Sequence, residues 1–235
     1  MMESRELKGS KQAHYFTPAV EKDDVEEGTR DMFPLAPFVV SGGRNTERFY
    51  FTHVNDLSDK HKFNIRPKYF GDESAYVEVF PQRINEILSK NTDAKIFCVF
   101  DMDTVIKRSL QDKHKVFVES LKDEIEKGSV VICDSMPSFE FWLLLHFVDY
   151  GGLLKNYPEV SQVLAPYIKP YFAESEMRLK KLLKKEEYLK DSAWVRRLLD
   201  EGRLEQAVER AKVCFARAMQ KEGLYSYTNV YKAFE

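Results

Sequence analysis

Short apolar runs alternate along most of the chain with longer segments whose apolar residues recur at helical spacing. Ile96 to Phe100 form five apolar positions in a row, too few for a helix core and rich in aromatic and β-branched types. Such a run predicts a strand that is covered on both faces of a sheet. Further apolar runs predict strands near residues 37–41, 65–70 and 129–134, and helical patterns lie at 47–57, 74–90 and 104–127.

This order of strands and helices predicts an α/β fold with a parallel-majority sheet, right-handed crossovers and helices on both faces. Residues 1–36 lack periodicity and contain an acidic segment, so we expect a flexible N-terminal arm. Residues 37–150 are then the α/β domain. Residues 151–235, with amphipathic patterns at 176–190 and 203–221, are predicted to be a helical C-terminal annex packed on that domain.

The central apolar run ends in two carboxylates, Asp101 and Asp103. Because they are two residues apart on an extended chain, they point to the same side. Ligands of open parallel sheets bind at the carboxyl ends of the strands. Hard oxygen ligands at this position predict a site for Mg²⁺ or Mn²⁺. The alternative is that one aspartate caps the next helix and the other is solvated.

A second informative stretch, residues 137–147, is apolar on all sides of a predicted helix that has Pro137 in its first turn. Glu140 is therefore a carboxylate in the first turn of a buried helix. When ionised, it needs a cation, a metal or the N–H groups of the helix terminus. We expect His146, near the end of the stretch, to be a hydrogen-bonded core residue rather than a metal ligand.

A glycine turn follows the first predicted strand. Gly42 and Gly43 permit a tight turn, and Asn45 or Thr46 is expected to cap the helix that begins near Glu47. A strand, a turn and a helix N-terminus together can bind an anion. Neither Gly-Lys-Ser nor Gly-Lys-Thr follows, so this is not a Walker loop, and an ordinary strand-to-helix turn explains the spacing.

Composition limits the ways in which nucleic acid could bind. Thirty-eight acidic and 36 basic residues give a formal net charge of −2, so any such binding needs a local basic patch. The best candidate is the segment 176–190, where basic residues surround leucines, although interspersed glutamates also fit an ordinary solvated face. Its basic residues are Arg178, Lys180, Lys181, Lys184 and Lys185.

Cysteine usage and the terminal sequence predict the compartment. The three cysteines lack metal-like spacing and are expected to be reduced core residues of a cytosolic protein. The charged N-terminus lacks the apolar centre of a signal peptide. The longest apolar stretch is far too short to span a bilayer. We therefore expect a cytoplasmic protein with no membrane partner.

Three blocks of the sequence resemble the hallmark motifs of the RloB-like family. The first runs from Gly43 to Phe51, the second from Phe100 to Asp103, and the third, which is long and specific, from Ser135 to Phe147. Segments 207–212 and 228–231 also resemble the tail of the family. The resemblance therefore covers roughly residues 37–235.

This resemblance implies a Toprim-like fold, as in topoisomerases, primases and overcoming-lysogenization-defect nucleases. It also implies a metal-dependent nuclease that acts on RNA or DNA in bacterial antiphage defence, often beside an ABC-type ATPase. Asp101 and Asp103 would be the Asp-x-Asp metal ligands and Glu140 a further metal-binding acid. Glu47 would join these three in the catalytic site. Arg44, in the first block, would contact nucleic acid together with the basic segment.

Two positions depart from the family pattern. Toprim proteins carry a glutamate at the end of the first strand, where this chain has Gly42. A glycine has no side chain for proton transfer or metal binding, so the departure predicts weakened cleavage. The Asn-Pro of the family's third block is Met136-Pro137 here.

Two other functions fit the residues. A non-catalytic relative would bind nucleic acid or a partner ATPase, which the Gly42 departure favours. The stretch from Phe100 to Val105 also fits the first motif of haloacid-dehalogenase-like phosphatases, in which Asp101 would be the nucleophile. That superfamily needs a downstream lysine and a second acidic pair, and no convincing pair follows in this sequence.

Overall fold

A mostly parallel sheet is the centre of the computed structural model, which describes residues 33, 35–43, 45–66, 76–221 and 223–235. The described strands are β1 (Phe38–Ser41), β2 (Asn64–Arg66), β3 (Ile96–Asp101), β4 (Val130–Met136) and β5 (Tyr227–Thr228). They form one sheet in the order β2–β1–β3–β4–β5. The first four strands run parallel, and β5 pairs with β4 in the antiparallel direction.

Helices connect the parallel strands and continue beyond the sheet. The α-helices of the described residues are α1 (Thr46–Leu57), α2 (Tyr76–Lys90), α3 (Met102–Lys107), α4 (Gln111–Ser120), α5 (Lys122–Glu126), α6 (Glu140–Leu145), α7 (Tyr157–Ile168), α8 (Leu179–Leu182), α9 (Glu186–Leu189), α10 (Ala193–Leu199) and α11 (Arg203–Gln220). Short 3₁₀ helices lie at Lys169–Tyr171, Asp200–Gly202 and Val230–Phe234. The mixed α/β fold with a parallel-majority sheet is thus confirmed.

The central strand β3 is buried on both faces, as its apolar sequence predicts. Successive side chains of a strand point to opposite faces. Phe97 and Val99 belong to the core that the C-terminal helices cover. Ile96, Cys98 and Phe100 belong to the core on the other face, beneath α2, α3 and α4. Helices therefore cover both faces of the sheet, which explains why β3 has no polar alternation.

The C-terminal region extends one of these two cores. The rings of Trp142 and Phe234 stack with centroids 5.6 Å apart, and those of Phe172 and Trp194 stack at 6.0 Å. Helix α11 matches the pattern predicted for 203–221 and buries its apolar stripe against the same core. The helical C-terminal region is confirmed, while the division at residues 36 and 150 stays a prediction.

The sequence pattern missed strand β5, which has two residues. Side chains rather than apolar periodicity fix it beside β4. Tyr227 Oη and Asn229 Nδ2 each donate a hydrogen bond of 2.8 Å to the Asp134 carboxylate. The hydroxyls of Ser135 and Thr228 lie 2.7 Å apart.

Three sequence-based boundaries are wrong. The helix predicted for 104–127 is three helices, because Ser109 adopts a left-handed conformation with φ 54° and Leu121 leaves helical geometry. The helix predicted for 176–190 is two single turns, α8 and α9. Pro137 lies outside α6, which begins at Glu140 and follows a cis Met136–Pro137 peptide.

Several expectations fall on residues that the structure does not describe. The predicted N-terminal arm lies almost entirely outside the described residues, as do residues 67–70 of the second predicted strand and Arg44. Within the described part of the chain, no helix combines the length and apolarity needed to cross a membrane.

Candidate functional site

Four acidic residues gather where strands of the parallel sheet end and helices begin. Asp101 is the last residue of β3, and Asp103 lies in the first turn of α3. Glu47 lies in the first turn of α1, shortly after β1, and Glu140 is the first residue of α6, shortly after β4. Because β1, β3 and β4 are parallel neighbours, their carboxyl ends lie at one edge of the sheet. This edge is where ligands of such sheets bind.

Asp101 lies at the centre of the group. Its Oδ1 accepts a hydrogen bond of 2.8 Å from the backbone N–H of Phe139, which ties the end of β3 to the start of α6. Burial, and then the charges of Glu47 and Glu140, hold the pKa of Asp101 well above its usual range, against the lowering effect of the Phe139 N–H. The three carboxyl groups are thus near enough to disfavour one another's ionisation.

Glu47 and Glu140 are buried, with 7% and 6% of their surfaces exposed. Burial, and then the charge of Glu140, raises the pKa of Glu47 to about 7. Burial also raises the pKa of Glu140, although nearby donors oppose the rise. One of these donors is the Ser138 hydroxyl, which is near Glu140 but forms no complete hydrogen bond with any described residue. Another is Thr46 Oγ1, which lies 3.4 Å from Glu140 Oε1. Buried acids with raised pKa values are typical of functional sites.

Asp103 is held differently from the other three acids. Its Oδ2 pairs with Lys107 Nζ at 2.5 Å, one helical turn further along α3. Its Oδ1 accepts a hydrogen bond of 3.3 Å from Thr104 Oγ1. Asp103 therefore already has a cation, and Lys107 would have to turn away before both oxygens of Asp103 could bind a metal.

Comparison with known families gives this site its context. A family model described as RloB-like protein matches residues 38–235. The chain belongs to the RloB-like protein family. No curated protein and no solved structure matches the chain. In this RloB-like protein, the acids of the three sequence blocks lie at one edge of the sheet, and the charges of Glu47 and Glu140 contribute to the raised pKa of Asp101.

Asn45 and Thr46, in the first sequence block, bind the basic segment. We had expected one of them to cap α1 instead. Neither Asn45 nor Thr46 makes a side-chain capping bond to α1. Instead, Asn45 Nδ2 donates a hydrogen bond of 2.5 Å to the Lys184 carbonyl, and Thr46 Oγ1 donates one of 3.0 Å to the Leu183 carbonyl. These two hydrogen bonds attach the segment between α8 and α9 to the start of α1.

The predicted nucleic-acid contacts in this segment are all exposed: Arg178, Lys180, Lys181, Lys184 and Lys185. Two of these lysines contact other side chains. Lys185 Nζ pairs with Glu187 Oε1 at 3.2 Å. Lys184 Nζ lies 5.9 Å from the centroid of the Tyr157 ring. Burial, and then the charge of Glu140, raises the pKa of Tyr157.

Lys184 and Tyr157 therefore link the basic segment to the acidic group. Sequence reasoning did not single out Tyr157, because its local pattern is that of an ordinary helix start. It follows Asn156, whose side chain accepts the Glu159 N–H and caps α7. Its place beside Glu140 arises from the packing of α6 against α7, which no local signal carries.

The acidic group fits a divalent cation by its chemistry. Carboxylate oxygens are the ligands that Mg²⁺ and Mn²⁺ prefer. Burial is the main cause of the raised pKa values of Asp101, Glu47 and Glu140, and a bound cation would favour their ionised forms. Within the part of the chain that the structure describes, no three His, Cys, Asp or Glu side chains stand ready to hold a metal. Metal binding would therefore require side-chain rotation.

Proposed function

We propose that this RloB-like protein is a metal-dependent nuclease that hydrolyses phosphodiester bonds of RNA or DNA in bacterial antiphage defence. The observation that carries the proposal is the grouping of Asp101 with the buried Glu47 and Glu140 at the carboxyl edge of the sheet, where burial raises all three pKa values and neighbouring carboxylates raise those of Asp101 and Glu47 further. Membership in the RloB-like family supports it. Burying several acids together costs stability, and a retained cost of this kind is typical of a catalytic or metal site.

Each acidic residue has a role in the proposed cleavage. Asp101, Asp103 and Glu140 would hold Mg²⁺ or Mn²⁺, with Glu47 beside them. When bound, such a metal would supply positive charge that favours ionisation of a water nucleophile and stabilises charge on the phosphate. Asp101 keeps its orientation through the Phe139 N–H, and Glu140 through Thr46. Since Gly42 lacks a side chain at the end of β1, proton transfer to the leaving group is poorly assisted, so we expect slow cleavage.

Lys184 and its neighbours would hold the backbone of the substrate. The chain has a formal net charge of −2, so phosphate binding depends on a local concentration of cations. The segment from Arg178 to Lys185 provides exposed cations, and Asn45 and Thr46 fasten it next to the acids. Contacts of this kind read charge rather than base sequence.

The environment of Asp103 and the glycine at position 42 favour a second candidate function. In it, the protein is a non-catalytic subunit that binds nucleic acid or a partner ABC-type ATPase. Asp103 is already neutralised by Lys107 at 2.5 Å. Gly42 brings no acid to the end of β1. In this alternative, the acids and the basic segment would contact a partner without cutting.

A cleavage assay distinguishes the two functions. Labelled single-stranded RNA, tRNA and DNA are incubated with the protein in Mg²⁺, in Mn²⁺ and in a chelator. We expect slow, Mn²⁺-dependent cleavage that Asp101→Asn abolishes and that Asp112→Asn, at an exposed aspartate of α4, leaves unchanged. Cleavage of no substrate, with nucleic-acid binding retained, would establish the non-catalytic function instead.

A further inference from the structure

Three buried polar atoms on neighbouring rings have no hydrogen-bond partner within the part of the chain that the structure describes. They are Tyr50 Oη, Trp142 Nε1 and His146 Nε2. Tyr50 and Trp142 have 0% of their surfaces exposed and His146 has 1%. A buried polar atom without a partner costs about 1–3 kcal/mol. Three such atoms on neighbouring rings therefore require an explanation.

The His146 ring neighbours the other two rings. The Trp142 and His146 ring centroids lie 4.7 Å apart, and the Tyr50 and His146 centroids lie 6.3 Å apart. Burial raises the pKa of Tyr50, and the Trp142 indole N–H partly offsets this rise. The indole N–H is therefore near the phenol oxygen, although the two complete no hydrogen bond.

The tautomer of His146 follows from its other nitrogen. Nδ1 lies 2.9 Å from the Trp142 carbonyl oxygen. A carbonyl oxygen accepts only, so Nδ1 carries the proton. In a neutral imidazole, Nε2 is then an acceptor. Burial lowers the pKa of His146 to about 3, so the ring stays neutral at physiological pH.

The three atoms offer complementary hydrogen-bonding roles. The indole of Trp142 donates, Nε2 of His146 accepts, and the Tyr50 hydroxyl does either. One water molecule can accept from the indole, donate to the imidazole and use its second hydrogen or lone pair for the phenol. Buried waters in proteins typically make about three such bonds to otherwise unsatisfied groups.

We propose that Tyr50, Trp142 and His146 form an internal binding site for one ordered water molecule. The site lies between α1 and α6, the two helices that carry Glu47 and Glu140. Tyr50 is about one turn after Glu47 on α1. The bound water thus joins the two helices that carry these acids, and this holds whether or not the protein cuts nucleic acid.

A high-resolution crystal structure of the full chain tests the proposal. We expect an electron-density peak within hydrogen-bonding distance of Tyr50 Oη, Trp142 Nε1 and His146 Nε2. Direct hydrogen bonds among the three side chains, with no solvent peak between them, would overturn it. A structure of Tyr50→Phe should show the peak weakened or lost, whereas Tyr231→Phe, which changes another buried tyrosine, should retain it.

Nitrogen-15 NMR of the imidazoles gives an independent test in solution. We expect His146 to show a protonated Nδ1 and an Nε2 shifted as a hydrogen-bonded acceptor, with a cross-peak from its ring to slowly exchanging water. A protonated Nε2, or an acceptor Nε2 with the shift of an unbonded nitrogen, contradicts the proposal. In Tyr50→Phe, the Trp142 indole proton should exchange with solvent at least severalfold faster than in the parent protein.

Discussion

The carboxylate of Glu47 lies directly against Gly43, in the space that a side chain at Gly43 would fill. A Cβ built on Gly43 overlaps both carboxylate oxygens and Cδ of Glu47. Gly43 does not use the left-handed backbone region that favours glycine, so its backbone would accept another residue. The glycine is therefore needed for space: it lets an acid carried by α1 lie back over the end of β1.

This relationship predicts that Gly43→Ala displaces Glu47 from the acidic group. Because the alanine methyl and the carboxylate cannot share the space, we expect metal-dependent activity to fall about ten- to hundredfold, as when a residue that supports a metal site is lost. Glu47→Ala should cause a fall of the same size. The measurement is the cleavage rate in Mn²⁺ for each variant, alongside its thermal unfolding.

The double variant Gly43→Ala/Glu47→Ala is the decisive control. With the carboxylate removed, the alanine methyl has room, so the double variant should be no worse than Glu47→Ala alone. Gly42→Ala changes an exposed neighbouring glycine and should leave the Glu47 position intact. If Gly43→Ala behaves like the parent protein, the space beside Glu47 is not limiting.

The raised pKa of Glu47 predicts a pH-dependent stability. Its pKa is about 7 in the folded chain against 4.5 for a glutamate in water. The unfolded chain therefore releases this proton first as pH rises, so the contribution of Glu47 is complete below about pH 4.5 and is lost by about pH 7. The loss is roughly 3 kcal/mol as an upper bound. Urea unfolding at pH 5 and pH 7 should show a smaller difference for Glu47→Gln than for the parent protein.

Divalent metal should reverse part of that loss. A cation favours the ionised acids, so Mn²⁺ is expected to stabilise the fold more at pH 7.5 than at pH 5. At a concentration of 100 times its dissociation constant, the gain is about 2.7 kcal/mol. Asp101→Asn should reduce the gain, and Asp112→Asn should not. Equal Mn²⁺ effects on the unfolding temperature of all three proteins would mean that metal does not bind at these acids.

The fold was predictable wherever short-range pattern determines structure. The apolar run at Ile96 to Phe100 predicted β3 correctly because a strand buried on both faces needs no polar position. The family resemblance predicted that Asp101 and Glu140 share a site, and in the fold the strands that precede them end at one edge of the parallel sheet. Helices α1 and α11 matched their amphipathic patterns closely.

The features that the sequence did not predict depend on contacts between distant segments. The segment between α8 and α9 is attached to Thr46, far away in the chain, through the Leu183 carbonyl. Strand β5 is held by Asp134 rather than by apolar alternation. The space that Gly43 leaves for Glu47 becomes visible only when α1 is folded back onto β1. None of these contacts leaves a local periodic signal.

The hydroxyl of Thr46 gives a last prediction, because it bonds both to the acidic group and to the basic segment. Thr46 Oγ1 lies 3.4 Å from Glu140 Oε1 and 3.0 Å from the Leu183 carbonyl, and Thr46 is buried. Thr46→Val keeps the shape of the side chain and removes both bonds, leaving a buried carbonyl without its donor. We expect a loss of stability of about 1–3 kcal/mol and weaker, more weakly salt-dependent binding of nucleic acid, because Lys184 is no longer held beside the acids. The measurements are urea unfolding and fluorescence anisotropy with a labelled single strand at several salt concentrations.

Thr52→Val is the matched control, since Thr52 bonds to the Arg48 carbonyl within its own helix at 2.8 Å and should leave binding unchanged. If Thr46→Val loses stability but binds the strand as tightly as the parent protein, with the same salt dependence, the basic segment does not depend on this bond for its function.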